Sequence, residues 1–433
     1  MFRISKSVCW GYFLAGSIAV FAQNPATTLV PQNSVVPQGG QFSILGSIPG
    51  DQVWPSISLL PSAGVIVCQD NVVDKNGSGI RGAMLNTTFG GGPSFCVNKT
   101  ATGNQMNPKV QLLAGDSMIA VWQCNVAGTP GIYARLAKGT TTRTTSAYGT
   151  NFFTIDLRAN VYLKGSQVDP AVAALPDGSA VITWSSFGED GSMYGVYARR
   201  ILKTGAFSTA REFLVNQYKQ YNQRKPAIAT LANGQYVIAW ISEQERFYNS
   251  VDVYARVFTA AGVPVTDEIP INSGANICDT PDVAPLTDGG FTVVWAQKDT
   301  VATNSWDVWG RAFTASGSPE VADFRINTYL FGDQYRPKIA AGPSGSLVVW
   351  TSMGQDGSRE GVFGRFLQGG TAVSGAEMQI NTTAISQQLH PAVAWNGVNN
   401  FLVVWTSFVG PMGVDPASGF DLYGQLYSVN TSP

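Results

Sequence analysis

Loop carboxylates are the chemistry this sequence offers most freely. Glu189, Asp190, Asp252, Asp299, Asp307, Asp356, Asp415 and Asp421 all fall beside turns between β-forming runs. Two carboxyl groups held about 5–9.5 Å apart are enough to cleave a glycosidic bond. Paired acids would therefore make a carbohydrate-active hydrolase or lyase. The bland reading competes, because Asp190-Gly191-Ser192 and Asp356-Gly357-Ser358 are ordinary turn signals. Oxygen-rich loops of this kind can also hold calcium, the one cofactor the loops suggest, but the D-x-D-x-D-G spacing of a strong calcium loop is missing. The chain has a single histidine, His390, which argues against a histidine triad or a histidine metal cluster. G-x-S-x-G, Walker and C-x-x-C motifs are absent.

The elements that must position these groups are announced by a ruler. Pro55, Pro108, Pro170, Pro226, Pro281, Pro337 and Pro391 recur at intervals of 53, 62, 56, 55, 56 and 54 residues. Thirteen or fourteen residues after each stands Trp122, Trp184, Trp240, Trp295, Trp350 or Trp405, with Cys68 in that slot of the first repeat. Within the third repeat, "PAVAAL" reads as a strand starting at its proline, "PDG" as a turn, and "SAVITWSS", "YGVYARRI" and "REFLVN" as three more strands. Units this small bury their apolar faces only against neighbours. The last repeat lacks a fourth strand, and "GGQFSILGSIPGDQVWP" near the N-terminus matches the missing piece. The expected fold is all-β: a seven-bladed β-propeller of four-stranded antiparallel blades, closed by an N-terminal strand completing the last blade. Residues 1–22 read as a signal peptide, 23–41 as a linker and 42–433 as the propeller.

Two further rings read as scaffold. Gln52, Gln105, Gln167, Gln223, Gln334 and Gln388 each lie three residues before the repeat proline and suit backbone groups in the links between blades. Arg135, Arg199, Arg256, Arg311 and Arg365 each follow an aromatic by two residues and suit stacking or pairing between blades. The residues just before the prolines differ in every repeat, which reads as a variable loop position.

Only 13% of residues are charged and the net charge is −1, so nothing favours nucleic acid or an anionic membrane as partner. Arg3, Lys6, the apolar Val8–Phe21 stretch and Ala22 fit export, and no later segment suits membrane insertion, so a secreted or cell-surface location is expected. In an oxidising compartment Cys68 with Cys96, or Cys96 with Cys124, are the preferred disulfides, leaving Cys278 free and buried. Sequons occur at Asn76, Asn86, Asn98, Asn381 and Asn430.

The repeated sentence P-x-V-A-x-L-x-D-G-x-x-V-V-x-W … D-G-S-x-x-G-V-Y-x-R … E-F-x-V-N-T, clearest from Pro170 to Val404, resembles repeats of large secreted bacterial surface and hemolysin-like proteins. That resemblance implies a propeller and no particular activity. Loops after each tryptophan and links before each proline should share one face. There Trp306, Phe408, Phe247 and Tyr248, with Met412, Asp415, Asp299 and Asn304, are candidate binding residues. The expected function is a non-enzymatic binding or adhesion module for a glycan or an extracellular protein. The alternatives are a carbohydrate-active hydrolase or lyase with paired carboxylates, and a structural envelope or matrix component.

Overall fold

The computed structural model describes residues 34–433 apart from 62, 116, 126–129, 139–150, 299–304, 371, 411–418 and 431–433. It is a seven-bladed β-propeller: seven four-stranded antiparallel sheets, with no helix among the described residues. In particular, none is long and apolar enough to cross a membrane. Blade 1 is built from Gln52–Leu60, Ala63–Asp70, Gly79–Leu85 and Gly91–Cys96; blade 3 from Gln167–Ala174, Ala180–Phe187, Tyr194–Ile201 and Phe213–Leu214. First strands of successive blades touch one another all the way round and so surround the axis. Blade 7 joins Gln388–Trp395, Asn400–Phe408 and Phe420–Asn430 to an outer strand, Ser34–Ser43, paired from Ser34 with Asn430 to Ser43 with Tyr423. Closure by the N-terminal strand leaves no open sheet edge between the first and last blades. The strand begins inside the segment that sequence assigns to a linker.

The tryptophan ruler measures packing between blades. Trp122, Trp184, Trp240, Trp295, Trp350 and Trp405 are all fully buried. Each sits in an apolar cluster with the preceding blade: Trp184 with Ile119 and Val121 of blade 2, Trp240 with Val181 and Val196 of blade 3. Cys68 holds the same place against Leu402 and Val404 of blade 7.

Polar rings tie the blades together. The six glutamines are buried and donate Nε2 to carbonyls a few residues back, as in Gln52 to Gly50 at 2.6 Å and Gln388 to Ile385 at 2.8 Å. The arginines reach across blades: Nη1 of Arg199 donates to the Ala159 carbonyl at 2.8 Å, and Nη1 of Arg256 to that of Val215 at 3.0 Å. A third ring is formed by the asparagine of the repeated E-F-x-V-N-T segment and its equivalents. Asn98, Asn160, Asn216, Asn272, Asn327 and Asn381 are buried, and each Oδ1 accepts from a third-strand amide, as Asn216 does from Val196 at 2.7 Å. Asn98 and Asn381, which read as sequons, are therefore committed to the scaffold.

The expected disulfides are absent: Cys68, Cys96, Cys124 and Cys278 are free thiols. Arg81 pairs with Cys68 on one side and Cys96 on the other, so two strand spacings separate those cysteines. That is roughly 9–10 Å, beyond the ~7 Å Cα limit for a bridge. The Cys96 thiol faces the Asn98 carbonyl at 3.2 Å, while Cys124 Sγ accepts from Gln105 at 3.3 Å in the next blade. Burial pushes the Cys96 thiol up to about 11, which keeps it protonated and inert.

Candidate functional site

Each first strand begins three residues before its proline, or four in blade 2, not at it, and breaks register there: between Val53 and Ser56, Met106 and Lys109, Val168 and Ala171, and so on in every blade. This is a β-bulge at one fixed place. A proline cannot donate to the ladder, so the bulge is where it can sit. The residue before it pays in backbone conformation. Trp54, Asn107, Asp169, Lys225, Thr280, Arg336 and His390 have φ of 58°, 52°, 55°, 56°, 46°, 54° and 55°. Left-handed backbone is uncommon outside glycine and costs most for a β-branched residue such as Thr280. Seven copies of one strained conformation turn seven different side chains into the mouth of the axial channel.

There they line a cavity of about 400 Å³, together with five of the repeat prolines and with Lys109 and Lys338. A narrower continuation of about 210 Å³ runs deeper, past Ile57, Val110 and Val172. The mouth opens on the face that carries the post-tryptophan loops, because those loops hydrogen-bond to the links before the prolines: Phe187 to Ser166, Glu243 to Asn222, Met353 to Asp333. The face expected from sequence is the face with the funnel.

The funnel is rich in cations. Lys225 is neutralised by Asp279, 2.6 Å away, and Lys338 pairs with Asp282 at 3.4 Å. Lys109 and Arg336 have no carboxylate partner among the described residues. The Trp54 indole lies across the mouth, stacked on His390 with centroids 3.7 Å apart and planes 14° from parallel; the Arg336 guanidinium sits 4.2 Å over the same ring system. Thr280 Oγ1, Arg336 Nη1 and His390 Nδ1 are buried without a hydrogen-bond partner. All three residues line the cavity from adjacent blades, so their side chains stand next to one another in its wall.

The protonation states follow from this crowding. Burial, followed by the positive charges of Lys338 and Arg336, lowers Lys109 to about 8, against the opposing pull of Asp282 and Asp169. Burial, then Arg336 and Lys109, lowers His390 to about 3, so its ring is neutral. Burial raises the Asp169 carboxyl against the pull of Lys225 and Arg224. Lys109 is thus a lysine able to lose its proton near neutral pH, the property of a general base.

The residues singled out by sequence lie elsewhere. Phe408 packs edge-on against Phe420 of its own blade, Phe247 lies under the Arg246 guanidinium, and Tyr248 is 87% exposed. The Trp306 amide donates to Asp333 at 3.1 Å. Asp299, Asn304, Met412 and Asp415 fall outside the described residues. Asp190 and Asp356 accept from Ser192 and Ser358 two residues on, as turn caps, and no cluster of three metal-binding side chains occurs among the described residues.

No family model matches this chain, and no curated protein matches it by sequence. Solved structures do match by shape. The polysaccharide lyase Uly1 superposes with a TM-score of 0.56 at 9% identity, covering 92% of this chain and 100% of the other. A protein of unknown function from Dyadobacter fermentans does so with 0.54 at 10% identity, over 92% and 99%. An alpha-L-arabinanase of Penicillium chrysogenum is similar over 75% of this chain and 93% of its own, with 0.48 at 13% identity. At these identities the likeness is one of fold. The expectation of a non-enzymatic adhesion module is nevertheless corrected: the propellers of this shape include carbohydrate-active enzymes, and the conspicuous site is an axial funnel of ionisable groups, not a face of exposed aromatics.

Proposed function

We propose that this protein is a carbohydrate-active enzyme that cleaves a polysaccharide in the axial funnel. The observation that carries this reading is the ring of seven side chains, one from each blade, held in left-handed bulges around a cavity of about 400 Å³. The bulge that each proline requires aims one side chain per blade at a single cavity, a convergent place of the kind where ligands bind. The Trp54–His390 stack gives the mouth an aromatic wall for a sugar, and Lys109 gives the base. A propeller mouth this open suits a chain threaded across it better than a small metabolite sealed within.

Elimination fits the funnel better than hydrolysis. Hydrolysis needs two carboxyls with room for a sugar between them, and Asp169 is the one carboxylate among the described residues lining the wide part of the cavity. The close acid pairs elsewhere, Glu189 with Glu212 and Glu245 with Glu268, are in hydrogen-bond contact with each other, too near for that arrangement.

The test is to incubate the purified protein with a panel of neutral and acidic polysaccharides, following new reducing ends and the ultraviolet absorbance of an unsaturated sugar product. Elimination gives both signals, hydrolysis the first alone. Lys109→Ala should abolish turnover without changing the melting temperature, and wild-type activity should rise with pH through about 8 as Lys109 deprotonates. Turnover that survives both Lys109→Ala and His390→Ala would show that the funnel is not the reaction site.

A further inference from the structure

We propose that the funnel recognises an anionic sugar, a uronate or a sulfated residue, with Arg336 as the group that binds its negative charge. This rests on the funnel being the polysaccharide site and adds the class of substrate. The starting point is an imbalance. In a chain with net charge −1, the cavity is lined by four cations, Lys109, Lys225, Arg336 and Lys338, and one carboxylate, Asp169. Two of the cations are answered by Asp279 and Asp282 from outside the wide cavity. Arg336 is not answered. Its guanidinium carbon lies 4.2 Å from the Trp54 ring centroid, and its Nη1 has no hydrogen-bond partner among the described residues.

A guanidinium that lines a cavity with no acid within ion-pair distance is suited to a planar carboxylate or a sulfate ester, which it can meet with paired hydrogen bonds. Thr280 and His390, whose ring is neutral, line the cavity on either side of Arg336. The three groups come from blades 5, 6 and 7, with the Trp54 indole of blade 1 beside them. A sugar entering the mouth beside the Trp54–His390 stack would bring its charged substituent towards Arg336. An uncharged sugar would leave Arg336 desolvated and unpaired, which is how such a site rejects it.

The experiment is calorimetric binding to full-length protein carrying Lys109→Ala, so that cleavage does not interfere. The probes are oligogalacturonate and oligoglucuronate, their carboxyl-reduced neutral counterparts, and a sulfated oligosaccharide. An acidic probe should bind roughly tenfold to a hundredfold more tightly than its neutral counterpart. That margin should shrink with added salt and largely vanish in Arg336→Gln, with Arg336→Lys keeping part of it. Preference for the uronate or for the sulfate tells which anion the site takes. Equal affinity for acidic and neutral probes, no binding of any acidic probe, or a margin untouched by Arg336→Gln overturns the proposal. Selective acid binding without cleavage by the wild-type chain would sink the enzymatic reading and leave this one standing. Cleavage of neutral glycans alone would do the reverse.

Discussion

Two sets of rings run round this propeller, and they differ in what they repeat. The outer set repeats residue type. Glutamine, asparagine and arginine recur blade after blade, each making the same bond, and an acid on or beside the fourth strand latches the previous blade: Asp156 accepts from Lys99 and Thr100, Glu212 from Val161 and Tyr162, Glu268 from Gln217 and Tyr218. In the closing blade Gln41 plays that part towards Thr382 and Thr383. The inner ring repeats only backbone. Its seven positions share one φ and carry seven different side chains. Where type is repeated the chain builds; where conformation alone is repeated it has freed the side chain for another use.

The largest way to stress the outer set is to open it. Deleting residues through Gly50 removes the Ser34–Ser43 strand, the Gln41 latch and Ile44, which is buried against blades 1 and 7. Blade 7 then exposes a bare edge. We expect aggregation, or loss of the cooperative melting transition, in size-exclusion and calorimetric measurements. A monomeric chain with unchanged melting would contradict closure by this strand.

Next comes the ruler. Trp184→Ala empties a fully buried site between blades 2 and 3 and should cost about 3–5 kcal/mol in denaturant unfolding. The same truncation at Trp54, half-buried at the mouth, should cost far less while weakening sugar binding. Similar losses at the two tryptophans would erase the distinction between the rings.

A glycine swap sharpens the comparison further. Asn216→Gly removes a buried side chain that accepts from Val196 and donates to the Tyr218 carbonyl, and should destabilise by about 1–3 kcal/mol. Thr280→Gly relieves a β-branched residue at φ 46° whose hydroxyl bonds to nothing, so stability should hold or rise by up to about 1 kcal/mol. Ligand affinity should fall instead. Loss of stability at Thr280 would mean that the inner position is scaffold after all.

The rings also explain what is legible in the sequence. Proline-to-tryptophan spacing, strand count and closure can be read because packing between blades demands the same residue at the same step. The asparagine ring shares that regularity and stands in the repeated E-F-x-V-N-T, but its bonding role is not visible in residue type, and Asn98 and Asn381 also read as sequons. The site escapes for a physical reason. Variation before each proline looks like a tolerant loop as long as the proline is placed at the strand's first residue. Gln52, Gln167 and their equivalents stand three residues upstream, however. A strand starting at the glutamine forces a proline into its interior, hence a bulge, hence a redirected side chain.

The subtlest test lies inside the outer set, where blades 3 and 4 differ from blade 6. In blade 6, Ser352 donates to Gln355 Oε1 at 2.7 Å, and the Gln355 amide donates to Glu377, the acid that accepts from the Thr328 amide of the previous blade. Blade 3 has Glu189 in place of that glutamine, accepting from Ser186 at 2.6 Å beside Glu212; blade 4 has Glu245 beside Glu268. A carboxyl can copy the amide's donation only when protonated. Burial, with the neighbouring acid adding to it against the serine hydrogen bond, raises Glu189 from 4.5 to about 7 and Glu245 from 4.5 to about 8. Folded values above the unfolded one mean that this contribution is complete below pH 4.5 and is lost as pH climbs to about 7 and 8. The melting temperature should therefore decline over that window. Glu189→Gln with Glu245→Gln should recover much of the loss at pH 8 and change little at pH 4, because the amide donates at every pH as Gln355 does. An equal shift at both pH values would show that the two blades share no proton, and that the acid pairs are latched in some other way.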